Sequence, residues 1–472
     1  MKPKLSGCFK KPINPRLLMK NILDAQRRYF RSGVTRSLSA RRQALQRLRR
    51  ALLDWEPKLA DALQADLGKC ASESYMCEIG MCLSSIRDTL AHLKRWAAPK
   101  RVPTPLSQFP ACSRIVPEPY GVVLIISPWN YPILLCLDPL IAALSAGNCC
   151  VLKPSRQSAH VTQTLADMLG SIFPREYVAV VQGDSKVTDE LLAQDFDYIF
   201  FTGSPRIGRK VMAAAAQHLT PVTLELGGKS PCIVDDSISL PLAARRIAFG
   251  KITNAGQTCV APDYLLIHRS VREAFIAEYA RAVREMLGEK PLQNPDYAHI
   301  INRHHFDRLC GLIGGSRVVF GGGADAASLR IEPTLLDDIT PESPCMQEEI
   351  FGPILPIITW ESPDEVEQFV LARPKPLACY IFTGNRATEK RLSSALSAGG
   401  ICVNDTIVHL AVHALPFGGV GQSGMGAYHG RAGFDTFSHA KPILHRSAWL
   451  DLPFRYAPFS PLKNRILRFF LK

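Results

Sequence analysis

An apolar stretch with two interruptions constrains the fold of this chain more than any other feature. Residues 133–152 are almost wholly apolar, but Asp138 interrupts them and the pair Gly147-Asn148 divides them in two. A helix that spans a bilayer needs ~20 apolar residues, so the interrupted stretch predicts a helix followed by a short buried strand. With the apolar residues 121–126 ahead of it, it predicts a strand, loop, helix and strand unit, with Asn130 in the loop at the carboxyl end of the first strand.

A second unit of the same kind follows. Residues 178–181 and 197–201 each have the pattern of a buried strand, and residues 203–208 open a helix. The turn contains Gly203, Ser204 and Gly208. Its two glycines would let the backbone approach a pyrophosphate at the helix N-terminus. The turn lacks the three-glycine dinucleotide fingerprint, and a glycine before a helix more often marks a tight turn. On its own it is therefore weak support for a cofactor site.

Two residues indicate a reaction at a carbonyl carbon. Cys259 ends the small and polar segment NAGQTC, which suits an open turn better than a packed strand, and Glu225 begins the segment ELGGKSP. A thiolate can attack a carbonyl carbon, and a carboxylate can activate the water that releases the adduct. Oxidation of an aldehyde to an acid needs both the attack and the activation of water. The alternatives are that Cys259 is a buried core residue and that Glu225 forms a surface salt bridge, which are the common fates of these residue types.

Composition limits the class of protein. A chain of 472 residues with 47% hydrophobic residues is long enough for two or more domains. Its 14 cysteines form no close metal-type pairs and no secretory segment precedes them, which predicts no metal site and reduced thiols in a cytoplasm.

The net charge of +14 is concentrated in basic residues near the chain ends. No aromatic platform or zinc module accompanies them, so we expect no nucleic-acid partner but a basic arm with affinity for anionic surfaces. At the start of the chain these basic residues are Lys2, Lys4, Lys10, Lys11, Arg16 and Lys20.

Short motifs recur in order from about residue 22 to residue 440. They are SPWNYP at 127–132, FTGS at 201–204, ELGGKSP at 225–231, NAGQTC at 254–259, QEEIFGP at 347–353, PFGGVG at 416–421, SGMG at 423–426 and FDTFSH at 434–439. In this order and spacing they resemble the aldehyde dehydrogenase superfamily, and more closely its class 3 branch of fatty and aromatic aldehyde dehydrogenases. The resemblance implies an α/β fold with a Rossmann-type cofactor domain, an α/β catalytic domain and a small oligomerisation element.

The resemblance also implies a division of the chain and a homodimer. The expected parts are a basic arm at 1–20, a cofactor-binding domain at 21–222 interrupted by an oligomerisation segment at about 95–117, a catalytic domain at 223–404, a bridging segment at 405–440 and a tail at 441–472.

Site residues follow from the resemblance, motif by motif. Cys259 would be the nucleophile, Asn130 with the Cys259 N–H would hold the oxyanion, and Glu225 would activate the hydrolytic water. The implied activity is NAD(P)-dependent oxidation of medium to long aliphatic or aromatic aldehydes to acids. Further residues would surround the cofactor or the substrate: Lys153 at the adenosine ribose, the turn of Gly203, Ser204 and Gly208 beside the cofactor, Glu349 at the nicotinamide ribose, Phe351 near its ring, and Tyr131 and Tyr264 along the aldehyde tunnel.

Other functions stay open at this point. A CoA-acylating dehydrogenase shares the fold and the cysteine, but it would not need the carboxylate of Glu225. A structural or membrane-scaffold protein would tolerate loss of the catalytic set, and none of that set is missing. A cysteine hydrolase would want a histidine partner, and no histidine lies in a motif beside Cys259.

Arg156 is a departure from the family pattern. It follows Lys153-Pro154 where many class 3 relatives have glutamate. An acidic residue there accepts the ribose 2′-hydroxyl of NAD, whereas an arginine accommodates the 2′-phosphate of NADP. Arg156 therefore predicts a preference for NADP; the alternative is a side chain that points to solvent.

The C-terminal residues lie outside the family motifs and have a pattern of their own. Residues 462–472 alternate apolar and basic side chains and are too short to span a bilayer. They predict an amphipathic helix that lies on an anionic membrane surface or docks against its own dimer.

Overall fold

The computed structural model describes residues 15–471, whose strands form two large mixed sheets, a three-stranded antiparallel sheet and a two-stranded antiparallel sheet. The strands are β1 (Lys100–Val102), β2 (Ala111–Pro119), β3 (Val122–Ile126), β4 (Cys149–Lys153), β5 (Val178–Val180), β6 (Tyr198–Thr202), β7 (Val222–Glu225), β8 (Pro231–Val234), β9 (Tyr264–His268), β10 (Arg317–Phe320), β11 (Ala324–Asp325), β12 (Arg330–Ile331), β13 (Thr334–Asp337), β14 (Ile354–Trp360), β15 (Ala378–Phe382), β16 (Gly400–Val403), β17 (Gly424–Met425) and β18 (Ser438–Arg446).

Helices cover the faces of the sheets. They are α1 (Pro15–Arg31), α2 (Leu38–Leu67), α3 (Ala71–Ser74), α4 (Gly80–Trp96), α5 (Leu134–Ala146), α6 (Ala159–Ile172), α7 (Ser185–Leu192), α8 (Pro205–Ala216), α9 (Leu240–Ile252), α10 (Arg272–Leu287), α11 (Arg303–Ile313), α12 (Pro344–Gln347), α13 (Pro363–Leu371), α14 (Arg386–Ala395), α15 (Gly430–Thr436) and α16 (Pro461–Phe470). A π-helix at Tyr75–Ile79 joins α3 to α4.

The first sheet has the strand order β17-β7-β6-β3-β4-β5 and is parallel except at β17. All five residues of β3 are buried, which suits a strand covered on both faces. The predicted units are confirmed. Elements β3, α5 and β4 form at the predicted strand, helix and strand, and β5, β6 and α8 form at the two strands and the helix of the second pattern. The chain adds β4 on one side of β3 and β6 on the other, so β3 marks the switch point where open α/β sheets bind ligands.

The second sheet has the order β10-β13-β14-β9-β8-β15-β16 and is parallel except at β10. Residues 226–230 leave the first sheet at the end of β7 and enter the second at β8. The segment after Glu225 therefore crosses from one sheet to the other, which places Glu225 at the junction of the two.

The third sheet is antiparallel, with the order β1-β2-β18. In it β18 pairs with the whole of β2, from Ser438 opposite Pro119 to Arg446 opposite Ala111. The boundary that we expected at residue 440 falls inside this strand. Within the expected bridging segment, β17 extends the first sheet beside β7.

The two ends of the chain differ in how they are packed. Helix α1 buries Met19, Ile22 and Leu23 in the core, whereas the basic residues at positions 2, 4, 10 and 11 lie outside the described residues. Helix α16 forms as predicted and buries none of its side chains. Within residues 15–471, no helix combines the length and the apolar character that a bilayer crossing requires.

Candidate active site

The carboxyl ends of four parallel strands bring most of the predicted site residues to one edge of the first sheet. The loop with Asn130 follows β3, Lys153 ends β4, the turn with Gly203 follows β6, and Glu225 ends β7. Parallel strands all point their carboxyl ends the same way, so sequence positions almost a hundred residues apart meet there. Cys259 and Glu349 come from the second sheet's loops, and they face this edge across the junction.

The turn after β6 fits the approach of a ligand backbone or phosphate. A Cβ on Gly208 would lie 2.7 Å from Leu226, and one on Gly203 would lie 2.7 Å from the Phe201 ring, so only glycine packs this closely. Ser204 is the N-cap of α8 but its side chain makes no capping hydrogen bond. The Thr202 hydroxyl is buried without a partner among the described residues. A helix N-terminus with unused donors is a suitable site for a pyrophosphate.

Lys153 and Arg156 differ in their surroundings. Lys153 is buried and donates to the carbonyl of Pro154 at 2.9 Å. Burial lowers its pKa; the Asp184 carboxylate partly opposes this effect, and the Arg156 cation adds to it. Arg156 itself is exposed at the turn before α6, and none of the ion pairs of residues 15–471 involves it. The charge of Arg156 therefore acts on Lys153.

Glu349 packs against the segment that crosses between the sheets. A Cβ on Gly227 would lie 2.1 Å from the Glu349 carboxylate, so the glycine makes room for it. Burial and the nearby Asp263 carboxylate raise the pKa of Glu349 to about 8, although the Gly228 N–H and Lys229 favour the ionised form. Lys229 donates to Asp263, to the Cys345 carbonyl at 2.7 Å and to the Glu348 carbonyl at 3.1 Å, and so fastens this loop.

Phe351 has a strained backbone next to an aromatic neighbour. Its φ of 52° lies in the left-handed region, which few residues other than glycine adopt without cost. Its ring meets the edge of Trp129 at 5.4 Å between centroids. Trp129 precedes Asn130, so the predicted ring neighbour of the cofactor also contacts the loop after β3.

Cys259 lies in a turn that the preceding residues hold under strain. Asn254 and Ala255 have φ of 52° and 50°, and Gly256 has 71°. A Cβ on Gly256 would lie 2.3 Å from the Gly352 carbonyl, so this glycine is required both by its φ and by close contact. Strained backbone of this kind persists only where the surroundings enforce it, and it clusters at functional sites.

Cys259 is partly exposed as a residue, and the neighbours of its thiol are acidic. Burial raises its pKa, and the carboxylates of Glu349 and Glu225 raise it further, while the N–H groups of Cys259 and Val260 oppose the shift. Burial and the acidic neighbours therefore both disfavour the thiolate. Positive charge brought to the site would favour the thiolate, because an opposite charge nearby stabilises the ionised form.

Asn130 is joined directly to the Cys259 turn. It is 2% exposed, and its side-chain amide donates to the Gln257 carbonyl at 3.0 Å. Its second amide N–H has no partner among the described residues, which leaves one donor for an oxyanion. Tyr131 is buried beside it and its hydroxyl bonds the Thr258 hydroxyl at 2.7 Å.

Glu225 is buried at the junction of the two large sheets. The residue is 2% exposed, and neither carboxyl oxygen has a hydrogen-bond partner within the described residues. Burial raises its pKa well above the ordinary value for glutamate. A buried carboxyl group without partners destabilises the fold, so its presence here indicates a use other than stability.

Some residues are placed differently from the expectation, and others were missed. Tyr264 is 1% exposed in β9 and packs on Phe369, so it has the position of a core residue rather than of a tunnel wall. Lys69 and Glu78 form a fully buried ion pair against the Asn130 loop. No motif contains them, and only their charge in mostly apolar surroundings could have drawn attention to them.

Comparison with known proteins agrees with this geometry. The family model described as "Aldehyde dehydrogenase family" matches residues 18–443. The chain is 45% identical to the 4,4'-diaponeurosporen-aldehyde dehydrogenase of Staphylococcus aureus, over 94% of this chain and 97% of that protein. It is also 45% identical to the dimeric NADP-preferring aldehyde dehydrogenase of Canis lupus familiaris, over 93% and 97%.

A solved structure extends the match to three dimensions. The substrate-bound S. aureus AldH superposes with a TM-score of 0.94 at 44% identity, over 96% of this chain and 99% of that one. The relatives that the chain matches include class 3 members, which are aldehyde dehydrogenases. The superposition and the family match over residues 18–443 show that the chain belongs to the aldehyde dehydrogenase family and is an NAD(P)-dependent oxidoreductase that acts on aldehydes.

Proposed function

We propose that the chain oxidises aliphatic or aromatic aldehydes to carboxylic acids through a thioester on Cys259, with Glu225 as the general base. The observation that carries this assignment is the pairing of a strained cysteine turn with a buried carboxyl group near enough to raise the pKa of the thiol. That carboxyl group has no hydrogen-bond partner within residues 15–471.

The Cys259 sulfur attacks the aldehyde carbon, and the carbonyl oxygen takes the negative charge. The free N–H of the Asn130 amide and the backbone N–H of Cys259 hold that oxygen, and loss of one such donor typically lowers the rate by ~10²–10³. The bound oxidised cofactor supplies the acceptor for the hydride that leaves this carbon. Asn130 and Cys259 keep the carbon oriented because hydrogen bonds join their two loops.

Glu225 releases the product. Its carboxylate takes a proton from water, the water oxygen bonds the acyl carbon, and the carbon–sulfur bond breaks so that Cys259 leaves as thiolate. Because burial raises the pKa of Glu225, only the fraction ionised at a given pH can act. We therefore expect acyl release to accelerate as the pH rises.

The cofactor residues are assigned by position. The turn of Gly203, Ser204 and Gly208 would receive the pyrophosphate, and Lys153 would hold the adenosine ribose. Glu349 would hold the nicotinamide ribose, and Phe351 would pack beside the ring. Arg156 is assigned to the 2′-phosphate, which gives a preference for NADP over NAD. An exposed guanidinium that pairs with no acidic residue in the described part of the chain, near a buried lysine, supports this assignment.

The decisive experiment measures reduction of NAD(P) by absorbance after mixing with an aldehyde in the absence of CoA. We expect reduced cofactor and free acid in equal amounts. Cys259→Ala should abolish turnover and retain cofactor binding. The matched control Cys112→Ala changes an exposed cysteine of β2 and should retain turnover. A requirement for CoA, or turnover by Cys259→Ala, would overturn the proposal.

The substrate class is medium to long aliphatic or aromatic aldehydes. The S. aureus relative is named for diaponeurosporen-aldehyde, and that name supports an apolar substrate for this chain. A panel of aldehydes of graded length at one cofactor concentration separates these classes. A thiol nucleophile must stay reduced, so we place the protein in a reducing compartment such as the cytoplasm.

The oligomer is a homodimer in this proposal. The name of the canine relative includes "dimeric". The small sheet presents exposed edge strands at β1 and β18, and exposed apolar side chains surround it, including Leu106, Phe109 and Leu444. Burial of such a patch against a second copy would remove both the apolar surface and the open strand edges. Sedimentation velocity measures this state.

The tail is assigned to an anionic membrane surface. Leu462, Ile466 and Phe469 share one face of α16, and Leu462 and Phe469 are 66% and 75% exposed. Residues 461–472 contain basic residues and no acidic ones. An exposed apolar face bordered by cations matches a surface of anionic lipid headgroups.

A further inference from the structure

The loop that carries Asn130 is anchored by a charged pair that lies entirely out of solvent. Lys69 and Glu78 both have no exposed side-chain surface, and their Nζ and Oε1 atoms are 2.6 Å apart. Lys69 also donates to the Asn130 carbonyl at 2.9 Å and lies 4.0 Å from the centre of the Tyr131 ring. Two of its contacts therefore fall on consecutive residues of the loop after β3.

Glu78 holds the other end of the same loop. Its second oxygen, Oε2, accepts the N–H of Ile133 at 2.8 Å and that of Leu134 at 3.3 Å. These N–H groups are at the start of α5, where helices have no internal acceptors and favour a negative charge. The pair thus fixes the loop at Asn130 and at Ile133, on both sides of the turn into the helix.

The same region also fastens the loop of the nucleophile. Glu73 accepts the Asn254 N–H at 2.8 Å. The Asn254 side-chain amide donates to the Asn130 carbonyl at 2.8 Å, the oxygen that Lys69 also binds. One carbonyl oxygen therefore joins the buried lysine, the Asn130 loop and the Cys259 turn.

Local backbone explains how Lys69 reaches this position. Gly68 ends α2 with φ of 67°, and a Cβ there would lie 2.6 Å from the His299 ring. Glu78 lies on the π-helix Tyr75–Ile79, and π-helical turns are rare and frequent at functional sites. Both partners are thus directed inward by backbone features that cost stability.

We propose that Lys69 and Glu78 are positioning residues, which hold the Asn130 amide at the oxygen of the reacting carbonyl group. This inference rests on the proposed role of Asn130 and goes beyond it. A purely structural ion pair could be replaced by apolar residues of similar size, often at little cost. Here the charged groups form hydrogen bonds with backbone atoms of the loop that supplies the oxyanion donor. An apolar pair would leave those backbone atoms without these hydrogen bonds.

The test compares two reactions of Cys259 that differ in their need for an oxyanion donor, and neither needs a cofactor. In acylation by p-nitrophenyl acetate, the sulfur bonds the carbonyl carbon, its oxygen becomes negative, and p-nitrophenolate then leaves. In alkylation by iodoacetamide, the sulfur displaces iodide at a saturated carbon, and no oxyanion forms. The ratio of the two rates therefore reports the donor geometry separately from the reactivity of the thiol.

The main variant is Lys69→Met/Glu78→Gln in the full chain, because it removes both charges and leaves neither partner ionised and alone. We expect acylation about 10²-fold slower, which is the scale of a displacement near 1 Å, and alkylation within about 3-fold of wild type. Lys69→Arg keeps the charge beside Glu78 and should give an intermediate loss. If the double variant does not fold, the Arg variant decides the test by the same ratio.

Two further variants separate positioning from general destabilisation. Asn130→Ala should lower acylation as the double variant does, and adding it to the double variant should produce little further loss, because the residues act through one group. The control Gln26→Leu removes two hydrogen bonds from α1, a buried one to the Cys150 carbonyl and a partly buried one to the Arg175 carbonyl. It should lower thermal stability while its acylation-to-alkylation ratio stays at the wild-type value.

An unchanged ratio in the pair variants, or an equal change in Gln26→Leu, would overturn the positioning role. Additive losses with Asn130→Ala would also overturn it, since the pair would then act elsewhere. Failure of the proposed function has a different result: wild-type acylation would persist in Cys259→Ala. The two failures are therefore distinguishable in the same set of measurements.

Discussion

Glu225→Gln should raise the stability of the protein at neutral pH while it stops acyl release. The glutamine has nearly the same shape as the glutamate but no charge at any pH. Glu225 is 2% exposed, and among the described residues neither oxygen has a partner, so burial alone raises the pKa of its carboxyl group. The native side chain therefore imposes a pH-dependent cost on the fold that the variant lacks.

The sign of this effect follows from the proton balance. An unfolded glutamate ionises near pH ~4.3, whereas the folded carboxyl group keeps its proton to higher pH. Between these two pKa values the folded state binds more protons than the unfolded state, so wild-type stability falls as the pH rises. The slope is about 1.4 kcal/mol per pH unit at its steepest, so the stability of the variant relative to wild type should grow between about pH 5.5 and 7.5.

The assay is thermal unfolding of both proteins without cofactor at these two pH values. The difference in midpoint between variant and wild type should grow with pH. Glu289→Gln is the control for the same change of side chain at a site that is 85% exposed. After mixing with aldehyde and cofactor, mass spectrometry should find an acyl group on Cys259 in the Glu225→Gln protein only. A midpoint difference that is constant across pH would refute the burial argument, and an unchanged turnover rate without adduct would refute the role as base.

Two other predictions concern Arg156 and the tail. Arg156→Glu should move the ratio of kcat/KM for NADP over NAD toward NAD by about 10- to 100-fold, because a hydrogen bond to a charged group contributes ~1.5–3 kcal/mol; the same ratio in mutant and wild type would contradict the 2′-phosphate assignment. A chain that ends at Pro453 should pellet less than the full chain with anionic liposomes, and high salt should reduce the difference. Equal pelleting of the two chains would exclude membrane binding by α16, and docking of its apolar face against the protein's own dimer would be the alternative that remains.

The sequence alone determined the elements that depend on local patterns. The strand, loop, helix and strand unit could be predicted because its continuous apolar runs and the break at Gly147-Asn148 act over a few residues. The two strands and the helix that follow it could be predicted from local patterns of the same kind. The order of short motifs identified the family, and with it the set of Cys259, Glu225 and Asn130. The amphipathic pattern at the end of the chain likewise predicted α16.

Only the tertiary structure decided which groups meet and in what chemical state. Lys69 lies 61 positions from Asn130 in sequence, and Glu78 lies 55 positions from Ile133, so no local pattern joins them. The absence of partners around Glu225 in the described residues, and the packing of Tyr264 into the core, depend on which surfaces the two large sheets present to each other. Burial and charge proximity set the pKa values of these groups, and both arise from long-range packing that residue order does not encode locally.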